Sequence, residues 1–141
     1  MPYEFLDDAV TSDVTFHAWA DTLDELFVAA ADATLNVMVR VLDSVRPIET
    51  RTASLEADGL DLLLRRFLDE QVYWKDVDAL LLRATRVTVD AAPPRLHAVL
   101  AGERVDPARH QLVADVKAVT FHDLRVERTP TAWDAHVTLD V

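Results

Sequence analysis

Apolar residues recur at three-to-four spacing in two stretches of the chain. Leu23, Leu26, Phe27, Ala30, Thr34, Val37 and Met38 share one face, which predicts a helix from Thr22 to about residue 39. Thr22 followed by Glu25 is a capping-box pattern, in which the hydroxyl takes the third helical amide and the carboxylate returns to the cap amide. A second face, Leu60, Leu63, Leu64, Phe67 and Gln71, predicts a helix from about Asp58-Gly59 to Trp74. Asp61, Arg65 and Asp69 stand four apart on its outer side and can pair.

Elsewhere the period drops to two, the signature of strands. Val14, Phe16, Ala18 and Ala20 alternate with Thr15, His17 and Trp19, and residues 48–56 alternate in the same way. Residues 85–91 and 95–100 flank Pro93-Pro94, which cannot continue a central strand and so suggest a hairpin. Residues 117–127 and 132–141 read as two more strands, joined by a turn around Thr129-Pro130. With an opening strand, this gives about seven strands and two amphipathic helices. The strands crowd the second half without alternating with helices, so the expected class is α+β with mostly antiparallel sheet.

Composition narrows the possibilities. At 141 residues the chain reads as one domain, 1–141. It has no cysteine and only two glycines, Gly59 and Gly102. Thiolate zinc sites, disulfide scaffolds and Cys nucleophiles are excluded, as are glycine-rich phosphate loops. The net charge is −11, the wrong sign for gripping a bare phosphate backbone. No uncharged run is long enough to span a membrane, and no targeting signal is evident, so a cytoplasmic location is expected. The acidity is concentrated early: eight acids precede the first base, Arg40. That bias suggests a solvated surface, or a negative face for a cation or a basic partner. Only two of the bases are lysines, Lys75 and Lys117.

Candidate chemistry is sparse. Asp140 lies one residue from the carboxylate of Val141, and two carboxylates that close repel unless a cation or several donors satisfy them. Such oxygens suit Ca²⁺, Mg²⁺ or Mn²⁺. Asp13 opens a strand in the most acidic segment and is a further oxygen donor or an ordinary strand-start residue. Lys117 begins a strand, where a lysine commonly blocks an edge. His17, His97, His122 and His136 occupy alternating strand positions and His110 a loop, and all five are expected to serve structure. Trp19 and Trp133 read as packed residues. No motif assembles a Ser-His-Asp triad.

Taken in order, these segments resemble the archease family over nearly the whole chain. The resemblance rests on Tyr3-Glu4-Phe5-Leu6-Asp7, Thr11-Ser12-Asp13-Val14, and the run His17 to Phe27. Phe67-Leu68-Asp69-Glu70 and the ending Leu139-Asp140-Val141 add to it. Its most specific part is Gly102-Glu103-Arg104-Val105-Asp106-Pro107-Ala108-Arg109-His110, leading into Val116-Lys117-Ala118-Val119-Thr120-Phe121-His122-Asp123-Leu124. Two departures stand out. Where the family usually has His-Thr-Ala-Asp, this chain has Asp8-Ala9-Val10-Thr11-Ser12-Asp13, with two extra residues and no histidine; Phe121 replaces a common tyrosine.

The resemblance implies a protein cofactor of an RtcB-type RNA ligase, not itself an enzyme. Such a cofactor promotes guanylylation of the ligase's active-site histidine, and so multiple turnover in tRNA splicing and RNA repair. It implies metal ligands at Asp13, Asp140 and Val141, with Ca²⁺ the first expectation and Mg²⁺ or Mn²⁺ the others. It also places a functional lysine at Lys117, and RNA would be reached only through the ligase. Two alternatives remain at this stage. One is a small metal-dependent hydrolase or nucleotide-processing enzyme using Asp13 and Asp140, with Lys117 or His122 assisting. The other is a general chaperone-like protein without a specific site.

Overall fold

The computed structural model describes residues 2–6 and 13–141. The chain runs β1 (Tyr3–Leu6), β2 (Asp13–Ala20), α1 (Leu23–Met38), β3 (Glu49–Glu56), α2 (Leu60–Asp78), β4 (Leu80–Ala91), β5 (Pro94–Arg104), β6 (Ala118–Val119), β7 (Arg125–Arg128) and β8 (Trp133–Asp140). A short 3-10 turn at Leu42–Ser44 follows α1. The α+β reading holds, with eight strands among the described residues where about seven were expected. The strands form two antiparallel sheets, β3-β5-β4 and β1-β2-β8-β6, with β7 also paired to β8.

Each helix packs against both sheets. Helix α1 is therefore buried on faces that an ordinary amphipathic helix leaves wet, including Ala29, Ala31, Ala33 and Leu35. Its small alanines let the sheets approach. Phe27 and Phe67, both without solvent exposure, stack between the helices with centroids 6.0 Å apart. Gln71 ties three elements together, its Nε2 donating to the carbonyls of Ala31 and Leu82. Thr22 caps α1 by accepting the Glu25 amide; the returning Glu25 bond is not formed among the described residues.

Several boundaries differ from the sequence reading. Helix α2 continues to Asp78, where Ala79 closes it in the left-handed region at φ 54°. Asp61 accepts the Leu62 amide instead of joining Arg65, and only Arg65–Asp69 of the expected pairs forms. The hairpin strands β4 and β5 extend well past the alternating cores at residues 85–91 and 95–100. Gly102 leaves no room for a side chain between the two strands: a Cβ there would lie 1.7 Å from the Leu81 carbonyl oxygen.

The expected strand 117–127 is broken. Residues 120–124 loop out between β6 and β7 while β8 runs on opposite them. Thr120 turns its hydroxyl onto the Thr138 carbonyl and accepts the His122 amide on the same oxygen. Asp123 then takes φ 49°. Side-chain bonds to the backbone compete here with the ladder that alternation alone would favour.

The Gly102–His110 stretch is a structural clasp. Glu103, 7% exposed, accepts from the Arg46 amide and guanidinium and from Arg109, and pairs with His110 Nε2 at 3.2 Å. His110 Nδ1 accepts the Asp106 amide at 2.9 Å. Nε2 must therefore carry the ring proton and donate it to Glu103, so its 3.2 Å approach to Arg109 is contact between two donors and not a hydrogen bond. Burial alone would raise the Glu103 pKa, but the donors, Arg109 foremost, hold it far below the usual carboxylate range.

Candidate functional site

The face of a residue on β2 follows from the pleat. Phe16 and Ala18 of β2 stand opposite Val137 and Ala135 of β8 on the core side. By alternation Asp13, Thr15 and His17 point to the other side. In that register Asp13 stands directly opposite Asp140. Two carboxylates thus share one face at one end of neighbouring strands, an arrangement that is unfavourable unless a positive charge neutralises it. On the far side of β8, Ala118 is the partner of Asp140, and the Lys117 amide donates to the Asp140 carbonyl at 2.8 Å. Asp13, Lys117, Asp140 and Val141 therefore meet at one corner of the five-stranded sheet.

The corner is held from behind. Val141 is half-buried with its side chain packed on the core. Beneath Asp13 and Asp140, Thr15 Oγ1 and Thr138 Oγ1 are 2.9 Å apart and buried. Lys117 is exposed, but the chain on either side of it is pinned to α2. Lys75 Nζ donates to the Val116 carbonyl at 2.6 Å and pairs with Asp115. Arg65 Nε donates to the Val119 carbonyl at 3.0 Å. The sequence marks Lys75 only as one of two lysines. Its partners lie forty or so residues away in the chain, which no local pattern reveals. Burial works to lower its pKa, but Asp115 and Asp76 overcome this and raise it.

The donor set at the corner is hard: two facing carboxylates and a third carboxyl group one residue on, without sulfur or imidazole. That chemistry fits Ca²⁺, Mg²⁺ or Mn²⁺ rather than a softer ion. Among the described residues no three His, Cys, Asp or Glu side chains converge on one ion position. The segment before Asp13, with the two extra residues and the missing histidine, lies outside the described residues, as do Thr11 and Ser12.

Other expected features fall elsewhere. The early acids are not one free face: Asp24 accepts the Val89 amide, and Asp32 and Asp43 share Arg83. Burial raises the Asp32 pKa against the opposing pull of Arg83. His122 is exposed beside Asp123, away from β8 pairing, and His97 bonds Ser54 on the other sheet. Trp133 packs against the core. A cleft of about 670 Å³ lies between the start of α2, Pro93-Pro94 and Phe121. None of the four corner residues lines it. No helix among the described residues is long and apolar enough to cross a membrane.

Two antiparallel sheets gripping two helices, with an acidic corner on a sheet edge, define a small α+β domain of one recurrent type. The chain belongs to the archease family: residues 3–141 match the Archease protein family (MTH1598/TM1083). Protein archease of Pyrococcus abyssi is 33% identical over 134 residues, covering 93% of this chain and 94% of that one. The solution structure of Methanobacterium thermoautotrophicum protein 1598 superposes with a TM-score of 0.81 at 31% identity, covering 99% of both chains. The crystal structure of an archease, possible chaperone, from Thermotoga maritima shares the fold at a TM-score of 0.67 and 14% identity, covering 96% of this chain and 98% of that one.

Proposed function

We propose that this protein is a non-enzymatic cofactor of an RtcB-type RNA ligase, binding one divalent cation at the corner formed by Asp13, Asp140 and Val141. The observation that carries the reading is the β2–β8 register, in which Asp13 faces Asp140 while the Lys117 amide, just before β6, is tied to the same residue. The family membership and the description of one relative as a possible chaperone support a protein partner.

In this reading the two aspartates and the Val141 carboxylate hold the ion, with Ca²⁺ the first candidate and Mg²⁺ or Mn²⁺ next. When bound, the ion supplies a fixed positive centre that relieves the repulsion between the carboxylates. The buried Thr15–Thr138 pair and the packed Val141 side chain keep the donors in place. Lys117 presents an exposed ammonium at the same end of the sheet, a compact point charge suited to a phosphate or carboxylate of the ligase. Docked at the ligase's nucleotide site, the corner promotes guanylylation of the active-site histidine, and RNA is met only through the ligase.

The test is a ligation assay with the cognate ligase, following GMP incorporation and turnover at substoichiometric protein. Wild type should convert single-turnover ligation to multiple turnover, and Asp13→Asn, Asp140→Asn and Lys117→Ala should each lose most of that gain while remaining folded. Full stimulation by all three variants would overturn the site. Phosphate release from nucleotides by the protein alone, abolished in Asp140→Asn, would point instead to a metal-dependent hydrolase.

A further inference from the structure

The core side of α2 is Leu63, Leu64, Phe67, Leu68, Gln71 and Val72. A helix at the surface of a domain normally turns charge to the opposite side. Yet Leu62, Tyr73 and Val77 stand there, at 37%, 52% and 56% exposure. With Arg66 among them they form one stripe on the helical period. Phe121, 64% exposed, stands beside the start of the stripe. It lines the same cleft as Leu62 and Arg66, with Pro93-Pro94 also in its wall. Arg66 then borders a second hollow of about 250 Å³, shared with Leu55 and Tyr73. Through Arg66 the two hollows join into one groove between α2 and the end of β3. From Leu62 to Tyr73 it measures roughly 16 Å by helix rise.

Phe121 is held in place although it is exposed. The Arg65 guanidinium lies 4.0 Å from its ring centroid, and Arg65 is itself fixed by Asp69 and the Val119 carbonyl. Thr120 anchors the loop that carries the ring, through its bond to the Thr138 carbonyl. An aromatic side chain ordered beforehand loses little freedom on binding, and aromatic and arginine anchors dominate the energy of protein interfaces. The charge of the groove selects what it can take. Its lining carries four acids, Glu56, Asp58, Asp69 and Glu70, against two bases, Arg65 and Arg66. Arg65 neutralises Asp69. Arg66 donates to the Glu56 carbonyl, and the carboxylates of Glu56, Asp58 and Glu70 have no ion-pair partner among the described residues.

We propose that this groove is a docking site for a basic amphipathic helix of a partner protein. The apolar side of that helix packs on Leu62, Tyr73 and Phe121, and its lysines or arginines meet Glu56, Asp58 and Glu70. This is helix-in-groove recognition, with opposite charge guiding the encounter and setting the orientation. An acidic helix meets repulsion from the same carboxylates. So does a second copy of this chain, which carries a net charge of −11. None of Asp13, Lys117, Asp140 and Val141 lines the groove, so the surface stands independently of the ligase reading.

The test is NMR titration of the ¹⁵N-labelled full chain with a synthetic amphipathic Leu/Lys helix of about 14 residues, near physiological salt. A Leu/Glu peptide of the same length is the control. The Leu/Lys peptide should saturate one site, shifting amides of α2 from Leu62 to Val77 and of residues 120–122, and the Leu/Glu peptide should not bind. Tyr73→Ser and Phe121→Ser should each weaken binding by about tenfold. Glu70→Lys should weaken it too, by less and with a smaller dependence on salt. Ile48→Ser removes another exposed apolar side chain, at the opposite end of β3, and should leave the affinity unchanged. All four changes are at surface positions, and the amide spectra show that each variant is folded. Shifts spread over the acids of α1 instead of the groove would overturn the proposal. So would equal binding of the Leu/Glu peptide, absence of saturable binding, or full affinity in both folded serine variants at Tyr73 and Phe121.

Discussion

Asp13 and Asp140 face each other across β2 and β8 in direct register, although 127 positions separate them in the chain. Without a cation, Asp140→Asn should raise stability by about 0.2–1 kcal/mol by removing a like-charge pair. With Ca²⁺ at a hundred times its Kd, the wild type should gain about 2.7 kcal/mol and the variant almost none. Denaturant melts with and without Ca²⁺ read both effects. A variant less stable than wild type in EDTA would show that the two carboxylates do not repel. Adding a few residues after Val141 should also cut the Ca²⁺ gain, because it moves away the carboxylate proposed as the third ligand.

Glu103 gathers Arg46, Arg109 and His110 in a buried cluster. Glu103→Gln should cost about 2–4 kcal/mol at pH 7, since it strips the charge from several donors at once. The folded pKa of Glu103 is depressed from its ordinary 4.5. Its stabilisation is therefore whole above that value and lost as pH falls through the folded pKa. Asp32 and Asp69, whose pKa values are raised by burial, work in the opposite sense. The gap between wild type and Glu103→Gln isolates the Glu103 contribution, and it should narrow steadily below pH 4.5 in urea melts.

Lys75 holds the segment that carries Lys117, through Asp115 and the Val116 carbonyl. Lys75→Met should cost about 1–3 kcal/mol and lower ligase stimulation, although Lys75 is itself only 9% exposed. Its raised pKa means that the stabilisation is complete below its ordinary value of 10.5 and fades as pH rises through the folded value. Undiminished stimulation by a folded Lys75→Met would show that Lys117 needs no such anchor.

Gly102 and Ala79 make opposite predictions about backbone. Gly102→Ala should destabilise by about 2 kcal/mol or more, because the new methyl meets the Leu81 carbonyl and β4 and β5 must separate. Ala79→Gly should stabilise by about 1 kcal/mol, since Ala79 occupies the left-handed region at φ 54° that glycine enters without strain. Thermal melts of the two variants should move in opposite directions.

The helices were legible because their periodicity coincides with what the fold buries; only α2 ran further, since its last turn is capped by an alanine where the sequence reader looks for glycine. The break at residues 120–124 was hidden because Thr120, Phe121 and His122 keep the alternating pattern. What bends the chain there is a hydroxyl bond to Thr138, a partner known only from the tertiary structure. Alternation placed Asp13 and Asp140 at strand ends, but no single-strand pattern sets cross-strand register, so their union at one corner came from the family resemblance. The Glu103 clasp did leave a local sign in Glu103, Asp106, Arg109 and His110 within one short loop.

Strand β8 sits inside its sheet, with β2 on one side and β6 and β7 on the other. Its hydroxyl contact with β2 links Thr15 and Thr138 across 123 positions. Contacts this distant are entropically slow to close. Until β8 docks, β2 lacks its inner neighbour, β6 and β7 have no strand to pair with, and Asp13 and Asp140 are not yet brought together. Capacity to bind an ion should therefore appear late in refolding, together with the last kinetic phase, and make ion uptake a clock for completion of the sheet.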